Sequence, residues 1–597
     1  MLDKLLLNNN AYFYQKQKSL TRNKITQIFT EVSRDKLSNR YSLKEIMSVA
    51  TVGDENFYYS ICIFKYTKKP SFLSEPVDGI YETKFSFLLI AEYSNYIIVY
   101  KNNVSGLKTL NDFIEPIDYS IISRLFVEDE TLFEKFYVSN MSTADNALRN
   151  KSLEANNLQG TISRIGAPKQ VIHNMRVSNE NQRTSLSLNT SRINYLGDKK
   201  ILQDFLAWVV TVSKKIDGFT PRDTYLDSFA QPINFGEYVD SLEPICILIK
   251  FDKLLDEIER GNIERIYQVD DNGEEVEGFN INTFINHFKV TLNIDNEKEG
   301  IFNIDSEIDS DMRLSIASKS IRVNSPEFKK VIIDRGSDVF SDLNSFVNNR
   351  NDFIVNFSET TLIYTYRKLF RDHRLLQDLE GFLSVFNPYQ QLVNTTSEKG
   401  EFSNAQTEFE QNSVFRFIVD EFVTDSTVMF CDDLNNEWAD IIAVKSDSIV
   451  FYHAKHKEGQ GLSASNLQDI IGQAHKNLGN LEPTDSMLDV KANEWQRTYN
   501  NDGAQTQIRR LLKGPNDSIQ ESIICYKAAL NQPNVSRQVN LVVDFISKQQ
   551  LAEGLQRLSN NETFARRNEV TQILWFVSSL IANCKELGIE TYISCRP

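Results

Sequence analysis

Apolar residues fall in short, strand-length runs through the first third of the chain and in a more regular rhythm near its end. FYYSICIFKY (57–66) and FSFLLIAEYSNYIIVYKN (85–102) are dominated by aromatic and β-branched residues and predict strands. In KKILQDFLAWVVTVSKKI (199–216), Ile201, Phe205, Leu206 and Val209 recur at helical spacing. GFTPRDTYLDSFAQP (218–232) holds two prolines among turn formers and predicts a boundary. DFIVNFSETTLIYTY (352–366) predicts a further strand, and polar NTTSEKGEFSNAQTE (394–408) reads as a linker. The expected organisation is an α+β region over 1–225, an α+β middle region over 226–395, and an α/β domain over 396–597 whose mixed sheet is flanked by helices.

The densest signal lies in CDDLNNEWADIIAVKSDSIVFYHAKHK (431–457). Two apolar runs flank KSDS, where Ser446 and Asp447 suit a tight turn. With those two residues as the loop, Asp440 pairs with His453 across a hairpin, and Lys455 projects from the same face. Ile442, Val444, Ile449 and Phe451 continue that face as core, while Ala439, Ile441, Ala443, Val450 and Tyr452 make the other face apolar too. Such a hairpin belongs at the centre of a sheet covered on both sides. A slip of one residue in the turn would destroy the alignment.

Helical patterns flank the hairpin. FEQNSVFRFIVDEF (409–422) places Glu410, Val414 and Phe417 on one face. SASNLQDIIGQAHKNL (463–478) gathers Leu467, Ile470, Ile471, Ala474 and Leu478, with Asn466, Gln473 and Lys476 at the edge and Ser463 or Ser465 as the N-cap. His456 and His475 read as satisfied surface residues.

Composition narrows the classes. At 597 residues, 41% hydrophobic and 24% charged, the chain has material for several packed cores. No apolar run approaches the roughly 20 residues that span a bilayer, and the first twenty residues carry no signal-peptide cleavage site. Six scattered cysteines, never in C-x-x-C, suggest reduced thiols and a cytoplasmic location. The net charge of −16 is concentrated in 251–312, which has 17 acidic and 5 basic residues, so contact with DNA elsewhere is not excluded. That acidic stretch reads as solvated surface, with a regulatory or docking face as the alternative. TSRIN (190–194) and RKLFRDHR (367–374) are candidates for phosphate contact, more simply explained as solvated or ion-paired side chains. H-E-x-x-H, G-x-x-x-x-G-K-[ST] and G-x-G-x-x-G are absent, so the sequence offers no zinc-protease, ATPase or dinucleotide signature.

A helix with Glu, a strand with Asp, a hairpin, a strand ending in x-x-Lys and a helix with Gln together resemble the PD-(D/E)XK superfamily, which includes restriction endonucleases and Holliday-junction resolvases. The resemblance covers 409–480 well, extends over 481–597 only as a compatible α/β continuation, and does not reach 1–400. It implies a restriction-endonuclease-like fold, with Glu410 as the first-helix carboxylate (Glu408 and Glu421 being the alternatives), Asp440 as the metal-binding aspartate, Lys455 as the triplet lysine and Gln473 as the helix glutamine. The triplet here is His453-Ala454-Lys455, with histidine where the family has an acid. An imidazole shifts preference from Mg2+ toward Mn2+. Two readings stand: His453 joins Asp440, Glu410 and the Ala454 carbonyl around a divalent ion in a working DNA nuclease, or the site is decayed and the domain is a DNA-binding or scaffold subunit. By architectural analogy the expected setting is anti-phage defence or restriction. A separate helicase or ATPase subunit would supply translocation. Homo-oligomerisation and gating by a ligand or partner through the acidic middle region remain open, and no membrane partner is expected.

Overall fold

The structure is a computed structural model, and it describes all residues except 35, 38–39, 71, 74, 76, 105–106, 145–146, 163–164, 166–168, 181, 299, 337–339, 373, 377, 460 and 502. Helices and strands are mixed, at 31% and 35% of the chain. The chain forms two compact units: residues 1–159 with 169–373, and residues 160–168 with 374–597.

The first unit is built mainly on antiparallel sheet. An eleven-stranded sheet uses residues between 10 and 195, and a nine-stranded one uses residues between 231 and 371. The apolar runs at 57–66 and 85–102 fall in strands Glu55–Lys68, Glu82–Tyr93 and Tyr96–Asn102, paired in sequence. Helix Leu202–Asp217 buries Phe205, Leu206 and Val209 as their spacing predicts, whereas Ile201 precedes it and is exposed. The run 352–366 is not one strand. SETT breaks it into Phe353–Phe357 and Leu362–Thr365, an antiparallel pair. Polar Ser358–Thr361 turns the chain where a continuous strand would have put them in the core.

The second unit carries the hairpin in a seven-stranded mixed sheet. Its elements are β1 (Phe386–Pro388), α1 (Val414–Phe422), β2 (Val428–Cys431), β3 (Ile441–Val444), β4 (Ser448–Lys455), α2 (Ala464–Asn477), α3 (Asp485–Trp495), β5 (Leu511–Lys513), α4 (Ile519–Leu530), β6 (Ser536–Ser547), α5 (Lys548–Ser559), α6 (Arg567–Glu586) and β7 (Ile589–Arg596). The sheet order is β1-β7-β6-β4-β3-β2-β5. Strands β2, β3 and β4 form an antiparallel meander; after α2 to α4 the chain returns as β6, parallel to β4.

The hairpin register is the one the turn residues predict: Ile441 pairs with Tyr452, Ile442 with Phe451, Ala443 with Val450 and Val444 with Ile449. Every one of these side chains is buried. Ile442, Val444, Ile449 and Phe451 pack with Leu467, Ile470 and Ile471 of α2 and with Ile573 and Leu580 of α6. Ile441, Ala443, Val450 and Tyr452 pack with Phe415, Phe417 and Ile418 of α1. Each large side chain removed from water in this way contributes about 1.5–3 kcal/mol. A one-residue slip would carry Asp440, His453 and Lys455 into the α1 face, so the packing holds the polar end in place.

Candidate functional site: an acidic cluster at the end of the central hairpin

Asp440 stands just before β3. Its N–H donates to the Tyr452 carbonyl at 3.1 Å, one residue out of step with the β3–β4 pairing, and its Oδ2 accepts from the Ala454 N–H at 2.7 Å. The residue is 7% exposed. The loop between β2 and β3 adds Asp433 and Glu437, and the three carboxylates offer oxygens within 4.8 Å of one another. Burial, reinforced by the negative charges of Asp433 and Glu437, raises the Asp440 pKa well above the usual carboxylate value, although the Ala454 N–H and Lys399 favour its charged form. A cluster of three oxygen donors with mutual repulsion fits a hard divalent cation, for which carboxylates are the ordinary ligands.

Several neighbours orient the cluster. Tyr499 Oη donates to Asp433 Oδ2 at 2.7 Å, and Lys399 Nζ lies 2.8 Å from the same oxygen. Lys476 of α2 lies 3.6 Å from Glu437. Asp432 faces the other way: wholly buried, it accepts from Lys491 Nζ at 2.7 Å, Trp495 Nε1 at 2.8 Å and the Trp438 N–H at 2.8 Å. The buried Asp432–Lys491 pair thereby anchors the loop that presents Asp433 and Glu437.

The pairing of β3 with β4 ends at Ile441 and Tyr452, so it does not include the expected pair Asp440–His453; His453 pairs with Leu541 of β6 and is 2% exposed. Its Nε2 is buried without a hydrogen-bond partner. Burial, with Lys476 nearby, lowers its pKa to about 3, so the ring is neutral at physiological pH. Lys455 ends β4, half-buried, and among the described residues its ammonium has neither a hydrogen-bond nor an ion-pair partner. Alternation along β4 puts the Ala454 carbonyl on the same edge as its N–H, toward Asp440. Gln473 lies on α2, half-buried, one turn before Lys476.

Glu410 is placed elsewhere. Ser413 caps α1 by accepting from the Arg416 N–H, so the helix begins at Val414 and Glu410 precedes it. Glu410 is exposed and accepts from the Glu401 N–H at 3.0 Å. The helix expected over 409–422 is shorter at its start because the serine hydroxyl captures the free N–H groups there. Glu408 pairs with Arg416, and neither it nor Glu410 belongs to the carboxylate cluster.

The residues missed in the sequence come from loops. Asp433 and Glu437 sit four apart beside Asp440, an acidic density that could have been noticed. Lys399 and Glu398 come from the stretch read as a linker. That stretch is tied down: the Thr396 N–H bonds the Asn412 carbonyl, and the Val414 N–H bonds that of Ser397. His456 is not a plain surface residue either. Its Nδ1 pairs with Oδ2 of Asp544, a fully buried residue of β6 that also accepts from Thr395 Oγ1 at 2.9 Å. All six cysteines are free, and among the described residues no helix is long and apolar enough to cross a membrane. No family model, no curated protein and no solved structure matches this chain.

Proposed function

We propose that the C-terminal unit is a metal-dependent DNA nuclease that hydrolyses phosphodiester bonds. The observation that carries this reading is the partly buried cluster of Asp433, Glu437 and Asp440 at the start of β3, with the unpartnered Lys455 closing the neighbouring strand β4. A divalent ion held there by the three carboxylates, with the Ala454 carbonyl at the rim, would lower the pKa of a bound water and neutralise phosphate oxygens.

The chain's own groups supply the remainder. Lys455 orients the attacking water and offsets the charge that develops on the phosphate. Neutral His453 offers Nε2 as a hydrogen-bonding or ligating atom in place of the family's acid, which favours Mn2+ alongside Mg2+. Lys476 borders the cluster from α2, one turn after Gln473. Asp433 and Glu437 take the part that the sequence pattern assigned to Glu410.

A DNA substrate, a role in anti-phage defence or restriction, and a separate ATP-driven subunit extend the reading by analogy of architecture. A second reading, a binding subunit with a decayed site, is favoured by His453 alone. Incubating plasmid and linear DNA with the protein and Mg2+ or Mn2+ separates the two readings. Metal-dependent cleavage is expected, and intact DNA under both metals would leave only the binding role.

A further inference from the structure

The segment 394–408, polar enough to read as a linker, delivers an ammonium to the carboxylate cluster. Lys399 Nζ lies 2.8 Å from Asp433 Oδ2 and 3.8 Å from Glu398 Oε1, and its side chain is 25% exposed. Its charge also bears on Asp440. On the other side of the cluster, Lys476 Nζ lies 3.6 Å from Glu437 Oε1. Asp433, Glu437 and Asp440 carry three negative charges when ionised, and the two lysines return two positive ones, the charge of one divalent ion. The sequence candidates for phosphate contact supply no such cation. Arg192 donates to Asn10 Oδ1 at 2.8 Å and Arg367 to the Asn349 carbonyl at 3.1 Å, while His373 lies outside the described residues.

The backbone on both sides of Lys399 is fixed. Thr395 Oγ1 donates to the buried Asp544 at 2.9 Å. The N–H groups of Val414 and Phe415, at the start of α1, donate to the Ser397 and Glu398 carbonyls at 3.0 Å each. Beyond Lys399, the Glu401 N–H donates to Glu410 Oε2 at 3.0 Å. The Lys399 side chain leans on Phe415, with Nζ 5.3 Å from the ring centroid. Lysine carries a compact charge on a flexible four-carbon stem, so the ammonium can move while the backbone that presents it stays in place.

Asp433 Oδ2 is already taken by two donors, since Tyr499 Oη reaches it at 2.7 Å as well. A carboxylate oxygen has two lone pairs, so Oδ2 can serve a divalent ion only by releasing one of them. Tyr499 is 1% exposed and packs against Phe402 and Phe409, which holds its hydroxyl where it is. The Lys399 ammonium is the donor free to leave. Like charges at close range repel, so an ion among these carboxylates favours that departure. The ammonium then stands beside a neutralised cluster with its own charge uncompensated.

From these observations we infer that Lys399 is the resident counter-ion of the metal-free cluster: it gives up Asp433 when a divalent ion binds, and its ammonium then holds a phosphate oxygen of the substrate strand. The inference rests on the nuclease reading of this site and deepens it, because it sets an order in which the substrate is gripped only after the metal site is filled. Lys399 would position the strand, while Lys455 acts on the attacking water.

Calorimetric titration of the metal-free full chain with Mn2+ tests the first part. Lys399→Met keeps the stem and removes the charge, so it should bind Mn2+ about tenfold tighter or more, whereas Lys399→Arg, which keeps the charge, should stay within about threefold of the parent. Lys476→Met should change the affinity less, since that side chain is 57% exposed. Fluorescence anisotropy of a labelled DNA duplex tests the second part, in a Lys455→Ala background that the nuclease reading makes slow to cut. Saturating Mn2+ should strengthen duplex binding there, and adding Lys399→Met should remove about tenfold of that gain, the equivalent of one charge-assisted bond. Tighter Mn2+ binding with weakened duplex binding in a protein that cuts no DNA would support the inference and remove the nuclease reading. The inference is overturned if Lys399→Met, folded by circular dichroism, binds Mn2+ no tighter than the parent or leaves duplex binding at saturating Mn2+ unchanged; metal-dependent cleavage by the parent would then keep the nuclease reading. Absence of Mn2+ binding by parent and variants at millimolar concentration would overturn both.

Discussion

Replacing Asp440 by asparagine separates a metal site from a merely acidic loop. The asparagine Oδ1 can still accept from the Ala454 N–H that now bonds Oδ2, so the main loss is charge. Carboxylate oxygens 4.8 Å apart, the widest separation in the cluster, repel by about 3 kcal/mol per pair when both are charged, at an effective dielectric near 20. Three effects reduce that figure. The Asp433 and Glu437 side chains keep 16% and 19% exposure, Lys399 offsets Asp433, and the raised Asp440 pKa lets a proton relieve the strain. The net expectation is a gain of about 1–2 kcal/mol in unfolding free energy for Asp440→Asn without divalent ions. Saturating Mg2+ or Mn2+ should reverse the order, because a ligand at 100 times its Kd adds about 2.7 kcal/mol to the parent alone. Urea denaturation of both proteins in chelator and in each metal measures this. A variant less stable than the parent in chelator, with the same gain from metal, would refute the repulsive cluster and the metal site together.

Further expectations concern pH and individual side chains. Because the folded pKa of Asp440 lies above its unfolded value, the metal-free protein should lose stability as pH rises from about 4 through the raised folded value; urea midpoints in chelator across that range check it. His173 and His453, both lowered to about 3, act in the opposite sense, so stability should also fall as pH drops below about 6.5. This branch should be blunted in a His173→Gln variant. Lys491→Met should cost about 3–5 kcal/mol, since it strands the buried Asp432 charge, and Asp432→Asn in the same chain should recover part of it. Glu410→Gln should leave cleavage and metal affinity within about twofold of the parent, the scale of surface substitutions.

The hairpin was legible because two local rules agree on one register: the turn at Ser446 and Asp447, and apolar residues on both faces. Helix α2 was legible for a similar reason, with Ser463 capping a regular apolar stripe. Where one rule stood alone the reading drifted. Periodicity carried α1 back to Glu410, but the Ser413 cap ended it three residues later. A β-rich composition joined 352–366 into one strand across a polar turn. The rest of the candidate site was hidden because tertiary structure assembles it: Lys399 comes from a chain segment that looks like linker, and Asp544 of β6 meets His456 from 88 positions away. Neither pairing has a local periodic signal.

The most direct measurement is cleavage of supercoiled plasmid by the parent and by Lys455→Ala, in Mg2+, in Mn2+ and in chelator. The Lys455 ammonium makes no described bond, so its loss should leave stability within about 0.5 kcal/mol. The account predicts metal-dependent nicking or linearisation by the parent and at least a hundredfold loss in the variant, the scale of a removed catalytic group. Equal cleavage by a folded Lys455→Ala protein, or none by the parent with either metal, would contradict it.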